Sequence, residues 1–371
     1  MTLAGGQGIR LVITGGGTGG HLFPGVAVAE AILADRPGSE VLFIGTDRQV
    51  DNQVLGNRPF AATSIRCQGL KGRSLVGRLA ALWQLPQAAW SASRIIKKFR
   101  PDLVLGVGGY VTGPVVLAAR LMGIPTCIHE QNSVPGLANR WLGKIVRRIF
   151  ISLPGSEKYF PVGRTRLTGN PVRAEILAAA CRQSEGGGAN GRTLLVLGGS
   201  QGAHRLNLLV AEGLCGRKDE LPPGFLVIHQ TGRQDEEMVR GLYSQGGINA
   251  QVSGFITDMA GTYSQADLMV SRAGATSLAE LCVMGLPAIL VPYPYAADNH
   301  QEFNARMVAD HGGALLFKES ELTAAKLAEA IIALLGDRSR LRVMAEKSRA
   351  VGRPEATDNI VRECLALISP L

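Results

Sequence analysis

Short apolar runs alternate with amphipathic stretches along most of the chain. Runs typical of buried strands lie at 10–14, 41–45, 103–107, 125–129, 148–152, 193–197, 225–230, 268–271 and 287–291. Between them lie stretches with helical amphipathic spacing, for example 24–34, 275–284 and 324–335. Alternating strands and helices predict an α/β fold in which helices cover both faces of parallel sheets.

The alternation stops at residues 182–192, RQSEGGGANGR, and then begins again with another strand. The chain has 371 residues, which is enough for about two domains, and the junction is expected within 165–192. We predict a first domain at 1–168, a second domain at 169–352, and a C-terminal helix within 353–371 that packs back on the first domain.

A glycine-rich loop follows a predicted strand in each half of the chain. These loops, GGGTGGH at 15–21 and GGSQGAH at 198–204, look like the first βα turns of doubly wound sheets, where ligands bind beyond the strand ends. The first loop also fits the dinucleotide-binding pattern GxGxxG, with Gly15, Gly17 and Gly20. An NAD-type cofactor is therefore an alternative, although Asp47 lies 27 residues past Gly20, farther than the roughly 20 residues usual for the ribose partner.

His21 ends the first glycine loop, where a helix is expected to begin. The positive end of a helix lowers the pKa of a nearby histidine, which suits a neutral imidazole acting as a general base. The alternative is that His21 only closes the loop through a hydrogen bond.

Polar residues follow two further strands of the first half. The turn GVGGYVTGP carries Tyr110 and Thr112, which we expect to be exposed, and the strand at 125–129 leads into His129, Glu130, Gln131 and Asn132. Polar side chains at a strand's carboxyl end are placed to contact a sugar, or alternatively they shape the loop by hydrogen bonding. Two candidate ligands without a third do not form a metal cage, so no metal site is expected.

Two features at and beyond the junction are candidates for nucleotide binding. Ser277 and Glu280 fit the capping box S-x-x-E, in which the carboxylate bonds back to a backbone N–H. Alternatively, the N–H groups of this helix bind a diphosphate and Glu280 binds a ribose diol. Arg173, in TGNPVR, offers a cation to a phosphate or a uracil edge, or else it forms a surface ion pair.

The net charge of +9 is concentrated in residues 1–170, which hold 20 basic and 8 acidic residues. No acidic residue lies between Asp51 and Asp102, a stretch with nine Lys and Arg residues. Such asymmetry indicates an anionic partner: a nucleic acid, a charged ligand or an acidic membrane. Because the chain has no RNA- or DNA-binding motif, nucleic acid is not expected.

Residues 70–100 combine this positive charge with apolar residues at helical spacing. The residues expected to face a membrane are Lys71, Arg73, Leu75, Arg78, Leu79, Leu82 and Trp83. The alternative is a solvated basic helix whose apolar side lies in the core.

The uncharged stretches 103–119 and 281–297 are 17 residues each and contain glycine or proline, whereas a spanning helix needs about 20 apolar residues. No spanning helix is therefore expected. The six cysteines are scattered without a CxxC pair, which predicts reduced thiols in a cytosolic protein.

Eight motifs, taken in order, resemble those of the MurG family: GGTGGHLFPGVAVAE, GVGGYVTGP, HEQNSVPGLANRWL, TGNPVR, LGGSQGAHRLN, HQTG, SRAGATSLAEL and DNHQEFNA. Members of this family are the bacterial N-acetylglucosaminyltransferases that turn lipid I into lipid II in peptidoglycan synthesis. The resemblance extends from about residue 9 to about residue 360.

The resemblance implies a GT-B architecture, in which two Rossmann-like domains face an inter-domain cleft, without a metal or another cofactor. It implies inverting transfer of N-acetylglucosamine from UDP-N-acetylglucosamine (UDP-GlcNAc) to the 4-hydroxyl of undecaprenyl-pyrophosphoryl-MurNAc-pentapeptide (lipid I). The protein would be peripheral on the anionic cytoplasmic face of the cell inner membrane, with cell-wall synthesis or division proteins as further partners. The alternatives are another GT-B UDP-sugar enzyme (a glycolipid transferase or a UDP-sugar 2-epimerase) and a non-catalytic nucleotide- or membrane-binding protein.

The resemblance also implies a donor site, residue by residue. Its members are Thr18, Gly19, Gly20, Asn132, Arg173, Ser200, Ile256, Ala275, Thr276, Ser277, Leu278, Ala279, Glu280 and Gln301. His21 is the candidate base, Glu130 is the fallback, and the first glycine loop would face the acceptor pyrophosphate. His300 stands where some relatives carry a second glutamine beside Gln301, a departure that concerns the contacts with the donor sugar.

Overall fold

Parallel strands form two separate sheets in successive parts of the chain. The computed structural model describes residues 7–17, 19–46, 55–56, 58–65, 67, 75–186, 192–199 and 202–368, with the backbone alone for 75–84 and 183–186. Two compact units result: a first unit of Met1–Arg173 with Glu355–Leu371, and a second unit of Ala174–Pro354. The sequence-based boundaries were 168 and 352.

The first unit is built on a sheet of parallel strands in the order β3-β2-β1-β4-β5-β6-β7. Its strands are Arg10–Gly15 (β1), Glu40–Gly45 (β2), Ala61–Ser64 (β3), Leu103–Gly108 (β4), Thr126–Glu130 (β5), Arg148–Ile151 (β6) and Thr165–Leu167 (β7). Its helices in this part of the chain are Gly19–Asp35 (α1), Leu75–Phe99 (α2), Thr112–Leu121 (α3) and Leu137–Leu142 (α4). The strand order reverses between β1 and β4, which makes their adjacent ends the topological switch point of the sheet.

Strand β1 shows why both faces of this sheet are covered. Leu11 and Ile13 pack on one face, in a cluster that includes Ile32 of α1. Val12 points to the other face and packs in a cluster with Val115 of α3. Successive side chains of a strand alternate between faces, and a parallel sheet buries both, so β1 is apolar at each of these positions.

The second unit repeats this arrangement with the strand order β10-β9-β8-β11-β12-β13. Its strands are Thr193–Leu197 (β8), Leu226–Gln230 (β9), Ala250–Ser253 (β10), Leu268–Ser271 (β11), Ala288–Leu290 (β12) and Ala314–Leu316 (β13). Its helices are Ala174–Gly186 (α5), His204–Gly216 (α6), Glu236–Gly246 (α7), Met259–Gln265 (α8), Ala275–Met284 (α9), His300–Ala309 (α10), Ala324–Gly336 (α11) and Arg338–Val351 (α12). The switch point of this sheet lies between β8 and β11.

The last helix of the chain, Ala356–Ile368 (α13), belongs to the first unit. It packs against α1 and buries Ile360, Val361, Cys364 and Leu365 in the same cluster as Leu11. These four residues form one stripe of the helix, and their burial fastens the C-terminal segment to the first sheet.

Four short strands were missed by the sequence analysis: β3, β7, β10 and β13. They have three or four residues each, and β3 and β7 are largely exposed, so they lack the apolar run that signals a buried strand. The helix expected at 24–34 begins earlier, at Gly19, and contains Pro24. Pro24 lies inside the helix, where its missing N–H removes one internal hydrogen bond.

None of the helices that the structure describes is long and apolar enough to cross a membrane.

Replacing Ile360 with alanine should destabilise the first unit by about 2–5 kcal/mol, because it leaves a cavity under α13. All three tryptophans, Trp83, Trp90 and Trp141, lie in the first unit, so urea unfolding followed by tryptophan fluorescence reports on that unit. The control is Arg362→Ala at an exposed position of α13, where a change within about 0.5 kcal/mol is expected. Equal effects of the two substitutions would contradict the packing described here.

Candidate active site

The glycine-rich loops of the first unit meet where β1 and β4 end side by side. Gly15 at the end of β1 pairs with Gly108 at the end of β4. Beyond them the backbones come close, since a Cβ atom on Gly109, at φ +88°, would lie 2.5 Å from the carbonyl oxygen of Gly16. Only glycine allows this approach together with a positive φ.

His21 lies in the first turn of α1 and its imidazole rests against the end of β4. A Cβ atom on Gly108, at φ +106°, would lie 2.6 Å from His21 Nδ1, so the ring occupies the space that a side chain would need. His21 Nδ1 is 3.2 Å from Oε1 of Gln131, the residue after β5. His21 therefore forms a loop-closing hydrogen bond, which is one of the two roles that the sequence suggested for it. The bond uses only Nδ1, so it is compatible with Nε2 acting as a base.

Gln131 and His129 continue this hydrogen-bond network below the surface. Gln131 Nε2 lies 2.7 Å from the carbonyl oxygen of Val107 and 3.2 Å from His129 Nδ1. His129 Nε2 lies 3.1 Å from the carbonyl oxygen of Gly169 and 3.0 Å from Ser152 Oγ. Burial lowers the pKa of His129 to about 4, so its imidazole is neutral at pH 7. For His129 the geometry favours the loop-shaping interpretation over contact with a sugar.

Glu130 organises the loop that follows β5. Its Oε1 accepts from the backbone N–H of Asn132 at 2.9 Å and from the Asn132 amide at 3.2 Å. Its Oε2 accepts from the Gly136 N–H at 3.2 Å and from Asn139 Nδ2 at 2.8 Å. Burial raises the pKa of Glu130, although these hydrogen bonds act in the opposite direction. Because both oxygens serve the loop, the geometry favours a structural role over that of the fallback base.

The turn after β4 is only partly as expected. Tyr110 is exposed, but Thr112 is buried and its hydroxyl lies 2.8 Å from the carbonyl oxygen of Gly108 and 3.1 Å from that of Thr14. The prediction that Thr112 is exposed was wrong, because the residue begins α3 and joins the ends of β1 and β4.

Arg173 is the last residue of the first unit and is buried, with its guanidinium carbon 4.6 Å from the centroid of the Phe23 ring. Of the interpretations of Arg173, this burial excludes a position on the surface. A guanidinium on an aromatic face is held in orientation by the ring quadrupole.

In the second unit, α9 begins directly after the switch-point strand β11. Its N-cap is Gly274, so Ser277 is the third helical residue and the capping box expected for Ser277 and Glu280 does not form. The helix has the bounds predicted for it, 275–284, and Gly274 takes the extended cap conformation ahead of Ser277. Glu280 is buried and accepts a hydrogen bond from the Tyr263 hydroxyl of α8 at 3.0 Å.

Two glutamines fix backbone segments around this switch point. Gln230 Oε1, at the end of β9, accepts from the Ile256 N–H at 2.9 Å. Gln301 Oε1 accepts from the N–H groups of Ala273 at 3.2 Å and Tyr293 at 2.9 Å. Gln301 therefore joins the two loops that follow β11 and β12.

Arg272, directly after β11, was not singled out by the sequence analysis. It pairs with Glu319 and donates to the carbonyl oxygen of Val291 at 3.1 Å. Tyr263 and Gln230 were missed as well. Gln230 lies in the family motif HQTG, whereas the role of Tyr263 has no local signal because its partner, Glu280, is on another helix.

Some of the expected site residues lie outside the described residues: Thr18, Lys71, Arg73 and Ser200. Five others lie in α2, of which the structure describes only the backbone at these positions: Leu75, Arg78, Leu79, Leu82 and Trp83. Within the described part of the chain, no cluster of three or more His, Cys, Asp or Glu residues could hold a metal ion.

Comparison with known families matches both units. The model of the glycosyltransferase family 28 N-terminal domain matches residues 11–151, and that of the family's C-terminal domain matches residues 193–360. Relatives from Desulfotalea psychrophila (50% identity, covering 97% of each chain) and Myxococcus xanthus (44% identity, covering 97% of this chain and 93% of the relative) are both named UDP-N-acetylglucosamine–N-acetylmuramyl-(pentapeptide) pyrophosphoryl-undecaprenol N-acetylglucosamine transferase.

The chain belongs to the MurG enzymes of glycosyltransferase family 28.

Solved structures agree with this membership. The crystal structure of Acinetobacter baumannii MurG is similar with a TM-score of 0.75 and 34% identity, covering 96% of this chain and 99% of that one. UDP-GlcNAc 2-epimerase from Neisseria meningitidis has a TM-score of 0.68 at 16% identity, covering 96% of this chain and 100% of that one, a likeness of fold alone. The chain has the GT-B fold expected of a family 28 glycosyltransferase, and the family favours glycosyl transfer over NAD-dependent chemistry.

The neutral state of His129 should make the first unit sensitive to acid. The folded pKa is about 4 and the ordinary value is 6.5, so between these values the unfolded chain binds a proton that the folded unit does not. The stability contributed by the neutral His129 is therefore fully present above pH 6.5, and it is lost as the pH falls toward the folded pKa of about 4. The loss attributable to His129 is about 2 kcal/mol between pH 7.5 and 5.

In urea unfolding followed by tryptophan fluorescence, His129→Gln should show a pH-dependent loss smaller than that of the wild type by this amount. The control is Arg362→Ala at an exposed position of the same unit, which should leave the pH dependence unchanged. Identical pH dependence in wild type and His129→Gln would show that His129 does not fold in its neutral form.

Proposed function

We propose that this chain transfers N-acetylglucosamine from UDP-GlcNAc to the 4-hydroxyl of the MurNAc sugar in lipid I, with lipid II and UDP as products. The observation that carries the proposal is the relative that is 50% identical over 97% of both chains and is named for this transferase. Identity of 50% over nearly the full length supports the same reaction far better than similarity of fold does. The 2-epimerases share the fold at 16% identity or less.

In the proposed reaction, the acceptor hydroxyl attacks the anomeric carbon while the bond from that carbon to UDP breaks. The electron pair leaves with the diphosphate, and the hydroxyl proton passes to a general base, for which His21 is the candidate. A single displacement inverts the anomeric centre and needs no covalent enzyme intermediate. General base catalysis by a positioned imidazole contributes about 10²–10⁴-fold to the rate.

We propose that the second unit binds the nucleotide near the start of α9. The backbone N–H groups of Ala275, Thr276 and Ser277 lie at a helix N-terminus, which favours the negative charge of a diphosphate leaving group. Glu280 would bind the ribose diol, oriented by its hydrogen bond from Tyr263. This charge stabilisation comes from the protein, so the proposal includes no resident metal or cofactor.

The contacts of Ile256 and Gln301 refine their proposed roles. The Ile256 N–H already donates to Gln230, so a contact of Ile256 with uracil would use its carbonyl oxygen. Gln301 Oε1 already accepts two backbone N–H groups, so its contact with the donor sugar would come from the amide nitrogen as a donor.

The test is radiolabel transfer from UDP-GlcNAc to a short-chain lipid I analogue, with UDP affinity measured alongside. Wild type should transfer the label, and His21→Ala should lower kcat by about 10²–10⁴-fold while UDP binding is retained. The matched control is His311→Ala, on the exposed surface of the second unit, which should retain wild-type kcat. No transfer by a UDP-binding wild type overturns the proposed acceptor, and full activity of His21→Ala overturns the proposed base.

We also propose that the first unit associates peripherally with the anionic cytoplasmic leaflet, where its lipid-linked acceptor is anchored. The positive charge of residues 1–170 supports this, as does the exposure of aromatic residues paired with basic ones. Trp90 is 63% exposed with the Arg94 guanidinium 4.9 Å from its ring centroid. Trp141 is 69% exposed with Lys144 Nζ 4.7 Å from its ring. Tryptophan beside basic residues is typical of membrane interfaces.

Membership of the family also leads us to propose association with other cell-wall synthesis or division proteins.

Charge reversal tests the membrane proposal. The triple substitution Lys71→Glu, Arg73→Glu and Arg78→Glu should weaken binding to vesicles containing anionic lipid by at least about 100-fold, since each basic residue contributes on the order of 1 kcal/mol. The matched control reverses three exposed arginines of α12, Arg338, Arg340 and Arg342, with the same change in net charge. Co-sedimentation should show nearly unchanged binding for the control, whereas equal losses would mean that net charge, not residues 70–100, drives association.

A further inference from the structure

We propose that Gln131 is a positioning residue that holds the proton of the neutral His21 imidazole on Nδ1, so that the lone pair of the base is on Nε2. The inference deepens the proposed function and depends on it for the catalytic role of His21. It stands on a continuous set of hydrogen bonds that begins at two backbone carbonyl groups and ends at His21.

The orientation of the Gln131 amide is decided by Val107. Gln131 is 2% exposed, and one atom of its amide lies 2.7 Å from the carbonyl oxygen of Val107 in β4. A carbonyl oxygen can only accept, so that atom is the amide nitrogen and the other, Oε1, faces His21.

His129 gives the same orientation independently. Its Nε2 lies 3.1 Å from the carbonyl oxygen of Gly169, which again can only accept, so Nε2 carries the hydrogen. With His129 neutral, its Nδ1 is then an acceptor, and the atom 3.2 Å away must be a donor, the Gln131 nitrogen. The two hydrogens of the amide nitrogen are thus used by Val107 and His129.

The consequence for His21 follows from the remaining atom of Gln131. Oε1 is an acceptor only, and it lies 3.2 Å from His21 Nδ1, so Nδ1 carries the hydrogen and donates it. In a neutral imidazole the lone pair is then on Nε2. The end of β4 limits other ring positions, because the ring occupies the space beside Gly108.

This arrangement matches the proton movement of the proposed reaction. Nε2 would take the proton of the acceptor hydroxyl as that oxygen bonds to the anomeric carbon and the electron pair leaves with UDP. The imidazolium formed keeps its Nδ1–H on Gln131 Oε1, so the hydrogen bond is present before and after the transfer and the ring need not turn.

The tautomer can be measured without any substrate. Long-range ¹H–¹⁵N spectra distinguish protonated from unprotonated ring nitrogens. They would be recorded on the ligand-free chain, labelled at its six histidines, and the His21→Ala spectrum identifies the signals of His21. In wild type above pH 7, Nδ1 of His21 should be protonated and Nε2 should be unprotonated. The opposite tautomer, or an equal mixture, overturns the inference.

The catalytic consequence is tested by a double-mutant cycle. Gln131→Met keeps a similar volume and removes the hydrogen bonds. It should lower kcat by about 10–100-fold, the range known for partners that orient metal-bound histidines, with the KM for UDP-GlcNAc nearly unchanged. In the His21→Ala background the same substitution should change kcat by no more than about twofold. Multiplicative losses would mean that Gln131 acts only on the stability of the loop.

The matched control is Gln265→Met on the exposed end of α8, which should leave kcat and KM at wild-type values. Failure of this inference differs from failure of the proposed function. If wild type transfers no sugar to lipid I, the function is wrong, but the spectra still report the tautomer. If transfer occurs and the spectra place the proton on Nε2, only the role of Gln131 is wrong.

Discussion

The position of the His21 imidazole depends on the close approach of two backbone segments at the switch point of the first sheet. Strands β1 and β4 run in parallel and end together, and glycines at their ends leave no side chain between the two loops. Because Gly108 lacks a Cβ atom, the ring can lie beside β4 and reach Gln131, the residue after the neighbouring strand β5. A larger residue at Gly108 would displace the one imidazole that the proposed reaction uses.

Buried polar groups then define the rest of this region. Gln131, His129 and Glu130 are all buried, and each has hydrogen-bond partners on backbone groups of neighbouring strands or loops. An unsatisfied polar group costs roughly 1–3 kcal/mol in such a place, so the partners hold these side chains in single orientations. Rigid orientation of this kind is what a base needs in order to meet a hydroxyl proton at the correct distance.

The second unit repeats the strand order of the first unit. The helix α9 follows the switch-point strand β11, and Gln230, Gln301 and Arg272 fasten the surrounding segments through backbone groups. Glu280 lies inside α9 instead of capping it, with Tyr263 as its partner. The helix N-terminus therefore keeps backbone N–H groups whose dipoles favour an anionic ligand.

The sequence by itself determined the class of the protein. Continuous apolar runs, such as that at residues 11–14, predicted buried parallel strands, and two glycine loops after such strands indicated two doubly wound units. The ordered motifs also indicated the family to which the chain belongs. These features are local: each face of a strand must be apolar if it is buried, and each tight turn requires glycine, whatever the rest of the chain does.

Only the tertiary structure decided which polar residues serve the fold and which are available for chemistry. The bond between His21 and Gln131 joins residues 110 positions apart, and that between Tyr263 and Glu280 joins two helices. The exposed strands β3 and β7 also lacked a sequence signal. Such contacts depend on strand order and on where each helix begins, and a hydrogen bond between distant residues leaves no periodic trace in the sequence.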